Sequence, residues 1–152
     1  MREKPKILVS ACLLGMNCRY DGGGKFAPEM TELMRVAELI PVCPEIYGGL
    51  PTPRTPSERV GTRVLMKTGE DVTDAYARGA REALALAERF GVNCAVLKER
   101  SPSCGSGEIY DGTFTGAKTV GDGVTAELLK RNGIAVYGES RIRELMEQLK
   151  EG

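Results

Sequence analysis

The chain has 152 residues, 21 basic and 21 acidic side chains, five cysteines and no histidine, enough for one domain with a substantial core. A formal net charge of zero offers no electrostatic footprint for nucleic acid and no basic face for a membrane, and no apolar run is long enough to span a bilayer. Without histidine no Ser-His-Asp triad, Cys-His dyad, zinc–histidine site or haem–histidine site can be built, so acid–base work falls to Glu, Asp, Lys, Tyr, Ser or a metal-bound water.

The opening Met1-Arg2-Glu3-Lys4-Pro5-Lys6 is charged and leads into a short apolar run, not a signal-peptide core. A cytoplasmic location is expected, with the five cysteines as thiols, ligands or nucleophiles instead of disulfides. Lys6 to Ala11, with Ile7-Leu8-Val9 continuous and apolar, predicts a buried parallel strand. A glycine-rich polar loop, Gly15 to Lys25, follows. Met30, Leu33, Met34 and Ala37 recur at helical spacing, so Pro28 to Glu38 reads as a helix with proline near its first turn. Leu39 to Val42 reads as a second strand.

Pro44 to Arg59 carries five turn-type residues, Gly48, Gly49, Pro51, Pro53 and Pro56, and reads as a long functional loop. Arg63 to Lys67 reads as a short edge strand. The stripe Tyr76, Ala80, Ala83, Leu84 and Ala87 predicts a helix from Asp71 to Phe90, stopped by Gly91. Asn93 to Lys98 is a strand, and Glu99 to Thr119 a second glycine-rich loop. Val124 to Lys130 reads as a helix ending at Asn132-Gly133, and Ile134 to Tyr137 as a strand. Ile142, Leu145, Met146 and Leu149 mark a terminal helix with Ser140 as N-cap. Alternating strands and helices predict an α/β fold: a single domain over residues 1–152, its mostly parallel sheet flanked by helices in a Rossmann-like three-layer arrangement.

Cys12, Cys43 and Cys104 each lie just beyond an apolar strand-like run. In a parallel sheet those ends share one edge, the edge where open α/β sheets bind ligands. Three thiols there suggest a soft-metal site with one coordination position unfilled, and without histidine an iron–sulfur cluster leads the candidates. Cys18 lies in a loop on the same edge. Cys94, at the start of a strand, reads as a small buried hydrophobe. No CxxC pair exists for a thioredoxin-type dithiol or a zinc knuckle. A phosphatase-like loop fails because Cys18, Gly49 and Tyr110 stand where the arginine would be.

Glu45 follows Cys43 by two positions. In a partly dry cavity such a carboxyl can shuttle a proton near neutral pH; the competing reading is a carboxylate in water, or one paired with Arg54. Ser101, at the head of Ser101-Pro102-Ser103-Cys104-Gly105, could orient a water or substrate, or be an ordinary turn serine before proline. Gly121-Asp122-Gly123-Val124-Thr125-Ala126 is half a dinucleotide fingerprint. It reads better as a backbone anion site or a close loop–helix approach. Gly22-Gly23-Gly24-Lys25 is not a P-loop, since Phe26 replaces the required Ser or Thr.

Taken together, Ser10-Ala11-Cys12-Leu13-Leu14-Gly15, Cys18-Arg19-Tyr20-Asp21-Gly22, Pro41-Val42-Cys43-Pro44-Glu45, Gly48-Gly49-Leu50-Pro51-Thr52-Pro53-Arg54 and Ser101-Pro102-Ser103-Cys104-Gly105 resemble the 2-thiouracil desulfidase (desulfurase) family over nearly the whole chain. The resemblance implies a [4Fe-4S] cluster held by three cysteines, with one iron not ligated by protein and free to take the sulfur of a thiolated nucleobase. The products would be uracil and hydrogen sulfide. It implies Glu45 and Ser101 as the residues assisting catalysis; four loop cysteines leave one to be excluded from the three ligands, and with Cys18 left out the expected set is Cys12, Cys43 and Cys104. The expected partner is a small-molecule thiolated nucleobase, with no nucleic acid and no membrane; free thiouracil, thionucleosides and related thiones all fit, and no oligomeric state is specified. The competing classes are a non-catalytic cluster or zinc protein, and a metal-free sulfurtransferase carrying a persulfide on Cys104.

Overall fold

The structure, a computed structural model, describes residues 4–24 and 26–151. The first three residues of the charged N-terminus and Lys25, the end of the first glycine-rich loop, lie outside them. Four strands form the central sheet: β1 (Lys6–Ser10), β2 (Glu38–Val42), β5 (Cys94–Leu97) and β8 (Ala135–Gly138), in the order β2-β1-β5-β8. Every pairing in it is parallel. The apolar runs of the sequence are these strands; β1, β5 and β8 are largely buried on both faces, as a parallel sheet favours, and β2 only partly. β2 is an edge strand, which is why it tolerates Pro41 opposite Val9.

Among the described residues five helices accompany the sheet: α1 (Met30–Val36), α2 (Pro44–Tyr47), α3 (Thr73–Phe90), α4 (Val124–Arg131) and α5 (Ile142–Glu151). Alternate residues of each strand face opposite layers. Ile7, Val9, Val96 and Tyr137 pack with Met30, Leu33, Ile142 and Leu145 of α1 and α5. Leu8, Ala95, Leu97 and Val136 pack with Ala83, Ala87, Ala126 and Leu129 of α3 and α4. This is the three-layer α/β/α arrangement expected. The chain steps from β1 outward to β2 through α1, then back across to β5 through α3. Right-handed crossovers in opposite directions put those two helices on opposite faces. The reversal lies between β1 and β5, and it opens a crevice at their carboxyl ends.

The boundaries differ in places from the sequence expectation. α1 is shorter than Pro28 to Glu38, because Ala37 is already extended at φ −144° and begins the return to β2. The expected loop Pro44 to Arg59 contains α2, a single turn with proline at its first position and Glu45 in its first turn, a favoured way to start a helix. It ends in β3 (Ser57–Val60), which pairs antiparallel with β4 (Arg63–Met66). The expected edge strand is therefore half of a separate hairpin, not an edge of the main sheet. The loop Glu99 to Thr119 likewise holds a second hairpin, β6 (Glu108–Tyr110) with β7 (Lys118–Val120). Gly91 ends α3 in the left-handed conformation at φ 68°, as its position implied. Ser140 does not cap α5. It lies in a 3-10 turn, Glu139–Arg141, and its hydroxyl donates to the Glu99 carboxylate.

Candidate metal and substrate site

β1, β2 and β5 end level with one another: Ser10 pairs with Val42, and Val9 with Val96, one residue before the end of β5. Cys43 is the next residue after β2. Cys12 is the second after β1, in a 3-10 turn from Ala11 to Leu14. Cys104 follows β5 on the turn Ser101-Pro102-Ser103. These three and Cys18 all line one cavity of about 410 Å³ over the crevice. Glu45 and Ser101 line it too. Cys94 sits at the start of β5, half-buried beneath the α1 and α5 layer, at the opposite end of the strand from the cavity.

Three close approaches fix this geometry. Cys43 caps α2, and α2 rests on α3 where an added Cβ at Gly79 would stand 1.8 Å from the Pro44 carbonyl oxygen. The Cys104 turn is held by the start of α4. The first amides of that helix, which have no partner within it, donate to loop carbonyls: Val124 to Pro102 at 2.9 Å, and Thr125 to Ser103 at 2.8 Å. A Cβ at Gly123 would meet the Ser103 carbonyl at 2.4 Å. The buried hydroxyls of Ser103 and Thr125 pair at 2.7 Å. The Gly121–Ala126 motif is therefore a close loop–helix approach, one of the two readings its sequence allowed. Third, the Ser101 hydroxyl accepts from the amides of Ser103 and Cys104, at 3.1 and 3.0 Å. With both lone pairs engaged, what Ser101 has left for the cavity is its proton.

Glu45 takes the paired setting of the two open to it. Oε2 accepts from Arg54 Nη2 at 2.7 Å, and Oε1 accepts from the Tyr76 hydroxyl. Burial, and next the Glu45 charge, push the Tyr76 phenol well above its ordinary value, so it stays a donor. Arg54 and Tyr76 are the site residues that sequence reasoning did not assign. Arg54 was legible only as a possible partner, and Tyr76 was one member of an apolar helix stripe.

The thiols are crowded in the free chain. Contact with Cys12, more than burial, raises the Cys18 thiol, and contact with Cys18 followed by burial raises Cys43. Burial pushes Cys104 up to about 12 and Cys94 up to about 11. The Cys43 thiol also donates to the Cys18 carbonyl at 3.8 Å. Cys18 thus belongs to the same group as Cys12 and Cys43, although the expected ligand set omits it.

Among the described residues no three His, Cys, Asp or Glu side chains are grouped to hold a single metal ion. The donor set fits a cluster: four thiols line one cavity and the chain holds no imidazole.

The walls complete the cavity. Buried Glu58, on β3, accepts from the amides of Gly112 and Phe114 at 2.9 and 3.1 Å, tying the two hairpins together. Tyr20, Tyr110 and Phe114 bring aromatic rings to the lining, and Lys98 and Arg100 bring positive charge. The cations are partly neutralised, Lys98 by Glu139 at 3.0 Å and Arg100 by Glu108 at 3.3 Å.

Fold and site together define an α/β protein with a cysteine-lined cavity at the carboxyl edge of a parallel sheet. The chain belongs to the 2-thiouracil desulfurase family, whose model matches residues 7–141. It is 41% identical over 150 residues to the uncharacterized protein YbbK of Bacillus subtilis (strain 168), covering 92% of this chain and 99% of that protein. Among solved structures it is similar to the [4Fe-4S]-dependent thiouracil desulfidase TudS (DUF523Vcz), with a TM-score of 0.93 and 47% identity over 98% of this chain and 100% of that one.

Proposed function

We propose that this protein is a [4Fe-4S]-dependent desulfidase that removes sulfur from thiolated nucleobases such as 2-thiouracil. Water replaces the sulfur, and the products are uracil and hydrogen sulfide. The reaction is net non-redox and needs no electron donor. The observation that carries the reading is the convergence of cysteines from three strand ends on one cavity, in a chain 47% identical to a structure named as a [4Fe-4S]-dependent thiouracil desulfidase. Cys12, Cys43 and Cys104 are the proposed ligands, one from each of three adjacent strand ends. Bound there with one iron not ligated by protein, the cluster supplies a soft Lewis acid for the thione sulfur.

The chain's own groups do the rest. Glu45, fixed at both carboxylate oxygens, accepts the proton of the attacking water and returns it to the leaving group. Ser101 donates a hydrogen bond into the cavity, toward a ring carbonyl or ring nitrogen. Loading the site releases protons, because the thiols at Cys43 and Cys104 are held protonated by their surroundings. The same facts weigh against a metal-free persulfide carrier: a reactive thiol needs exposure and a lowered pKa, whereas Cys104 is buried with its thiol pushed up to about 12. A thiol-dependent cluster suits the reducing cytoplasm, where we place the protein.

The test is anaerobic reconstitution with iron and sulfide, then incubation with 2-thiouracil. Equimolar uracil and sulfide are expected, and stripping the iron with a chelator should abolish both. A loaded protein that leaves thiouracil intact would instead indicate a binder, and sulfur release by the stripped protein would indicate thiol chemistry.

A further inference from the structure

We propose that Arg54 is the positioning residue of this centre: one buried guanidinium fixes the Glu45 carboxylate and the Cys18 loop against each other. The inference builds on the desulfidase reading above. The Arg54 side chain is only 2% exposed. Its Nη2 donates both to Glu45 Oε2 at 2.7 Å and to the Cys18 carbonyl at 3.1 Å. Its Nη1 donates to the Pro51 carbonyl at 3.2 Å and to Thr52 Oγ1 at 3.1 Å, and its backbone amide donates to the Tyr20 carbonyl at 2.7 Å. One residue therefore joins the loop after Cys12, the helix after Cys43 and the turn that follows it.

The Cys18 carbonyl that Arg54 grips is also the acceptor for the Cys43 thiol. That thiol contact belongs to the free chain and ends when Cys43 gives up its proton to bind iron; what Arg54 holds in both states is the Cys18 carbonyl and, directly, the proposed base. Tyr76 holds the other carboxylate oxygen, so the carboxyl cannot turn without breaking a bond at one end. Burying a guanidinium with one N–H unmade is costly. A fold keeps such a group where its planar fork does something a point charge cannot. Lysine, with three donors on a single nitrogen, could not reach all four acceptors that Arg54 holds from its two Nη atoms.

Three measurements on Arg54→Lys and Tyr76→Phe test the proposal. The first uses the free chain and needs neither iron nor substrate: amide exchange in Arg54→Lys should quicken across residues 18–23 and 45–50 while β1 and β5 keep wild-type protection. The second is iron bound per chain after anaerobic reconstitution, which should fall in Arg54→Lys and stay at the wild-type level in Tyr76→Phe. The third is turnover per loaded cluster. It should drop about 10–100-fold in Arg54→Lys, the usual cost of losing an outer-sphere partner, and also drop in Tyr76→Phe, with KM little changed in both.

Wild-type exchange in both segments together with wild-type kcat in Arg54→Lys would overturn the proposal. If Arg54→Lys unfolds throughout, Tyr76→Phe decides: lowered kcat at full iron supports carboxylate positioning, and wild-type kcat refutes it. If the wild-type chain itself takes up no cluster or leaves thiouracil intact, the desulfidase reading fails, while exchange in the free chain still reports on Arg54.

Discussion

In the proposed reaction Glu45 and Ser101 divide the polar work of the cavity unequally. Glu45 can take up and return a proton, whereas Ser101, with its oxygen committed to two backbone amides, can only donate. Glu45→Ala should keep its iron and lose about 10²–10⁴-fold in turnover, the usual worth of general acid–base assistance. Wild-type sulfide release by that variant would leave Glu45 a structural carboxylate. Ser101→Ala should lose less turnover per cluster but also bind less iron. It leaves the amide of Cys104 without its acceptor, a loss of about 1–3 kcal/mol for a buried group, in the turn that carries a proposed ligand. Iron analysis beside the rate assay separates the two effects. That the loop cysteines, Glu45 and Ser101 would share one cavity was legible in the sequence because they lie just beyond strand ends. Arg54 and Tyr76 were not, because an ion pair and a helix tyrosine gain meaning only once α2 is seated on α3.

At the scale of elements, the site depends on how closely α2 approaches α3. Gly79→Ala would drive a methyl group into the Pro44 carbonyl, so α2 must shift and carry Cys43 and Glu45 with it. A destabilisation of about 1–3 kcal/mol with reduced iron uptake is expected, read by urea unfolding and iron analysis. The start of α3 is joined to the β3–β4 hairpin by Asp71. One carboxylate oxygen accepts the hydroxyl and the amide of Thr73, and the other pairs with Arg63 at 2.7 Å.

These contacts, the Thr73 hydroxyl foremost, lower the Asp71 carboxyl from 3.8 to about 2. Because the folded value lies below the unfolded one, the contribution is complete above the ordinary carboxylate range and is lost as pH falls through about 2. Asp71→Asn should therefore be less stable than wild type near neutrality, with the difference closing between pH 3.8 and 2; a constant gap over that interval would contradict the assignment. The two hairpins were not legible as pairs. Their strands are three or four residues long and β7 is exposed throughout, so they are too short and too polar to show a strand period by themselves. β4 was read as a strand, whereas β3 was not, because Pro56 and the charges of Glu58 and Arg59 mask it.

For the whole molecule, the sequence predicted the sheet, its layers and the edge that carries the site. Continuous apolar runs mark buried parallel strands, and right-handed crossovers leave few topologies open. Choosing three ligands from four cavity cysteines was beyond that logic, because Cys18 comes home through a glycine-rich loop with no periodic signal. The most direct test of the account is iron and sulfide content, with sulfide release from 2-thiouracil, across the five single Cys→Ser variants after anaerobic reconstitution. Cys12→Ser, Cys43→Ser and Cys104→Ser should lose the cluster and all turnover, because a hydroxyl is a poor substitute for thiolate at iron. Cys18→Ser and Cys94→Ser should keep the cluster. Full iron in Cys104→Ser with loss of iron in Cys18→Ser would contradict the ligand set and move the cluster onto Cys12, Cys18 and Cys43.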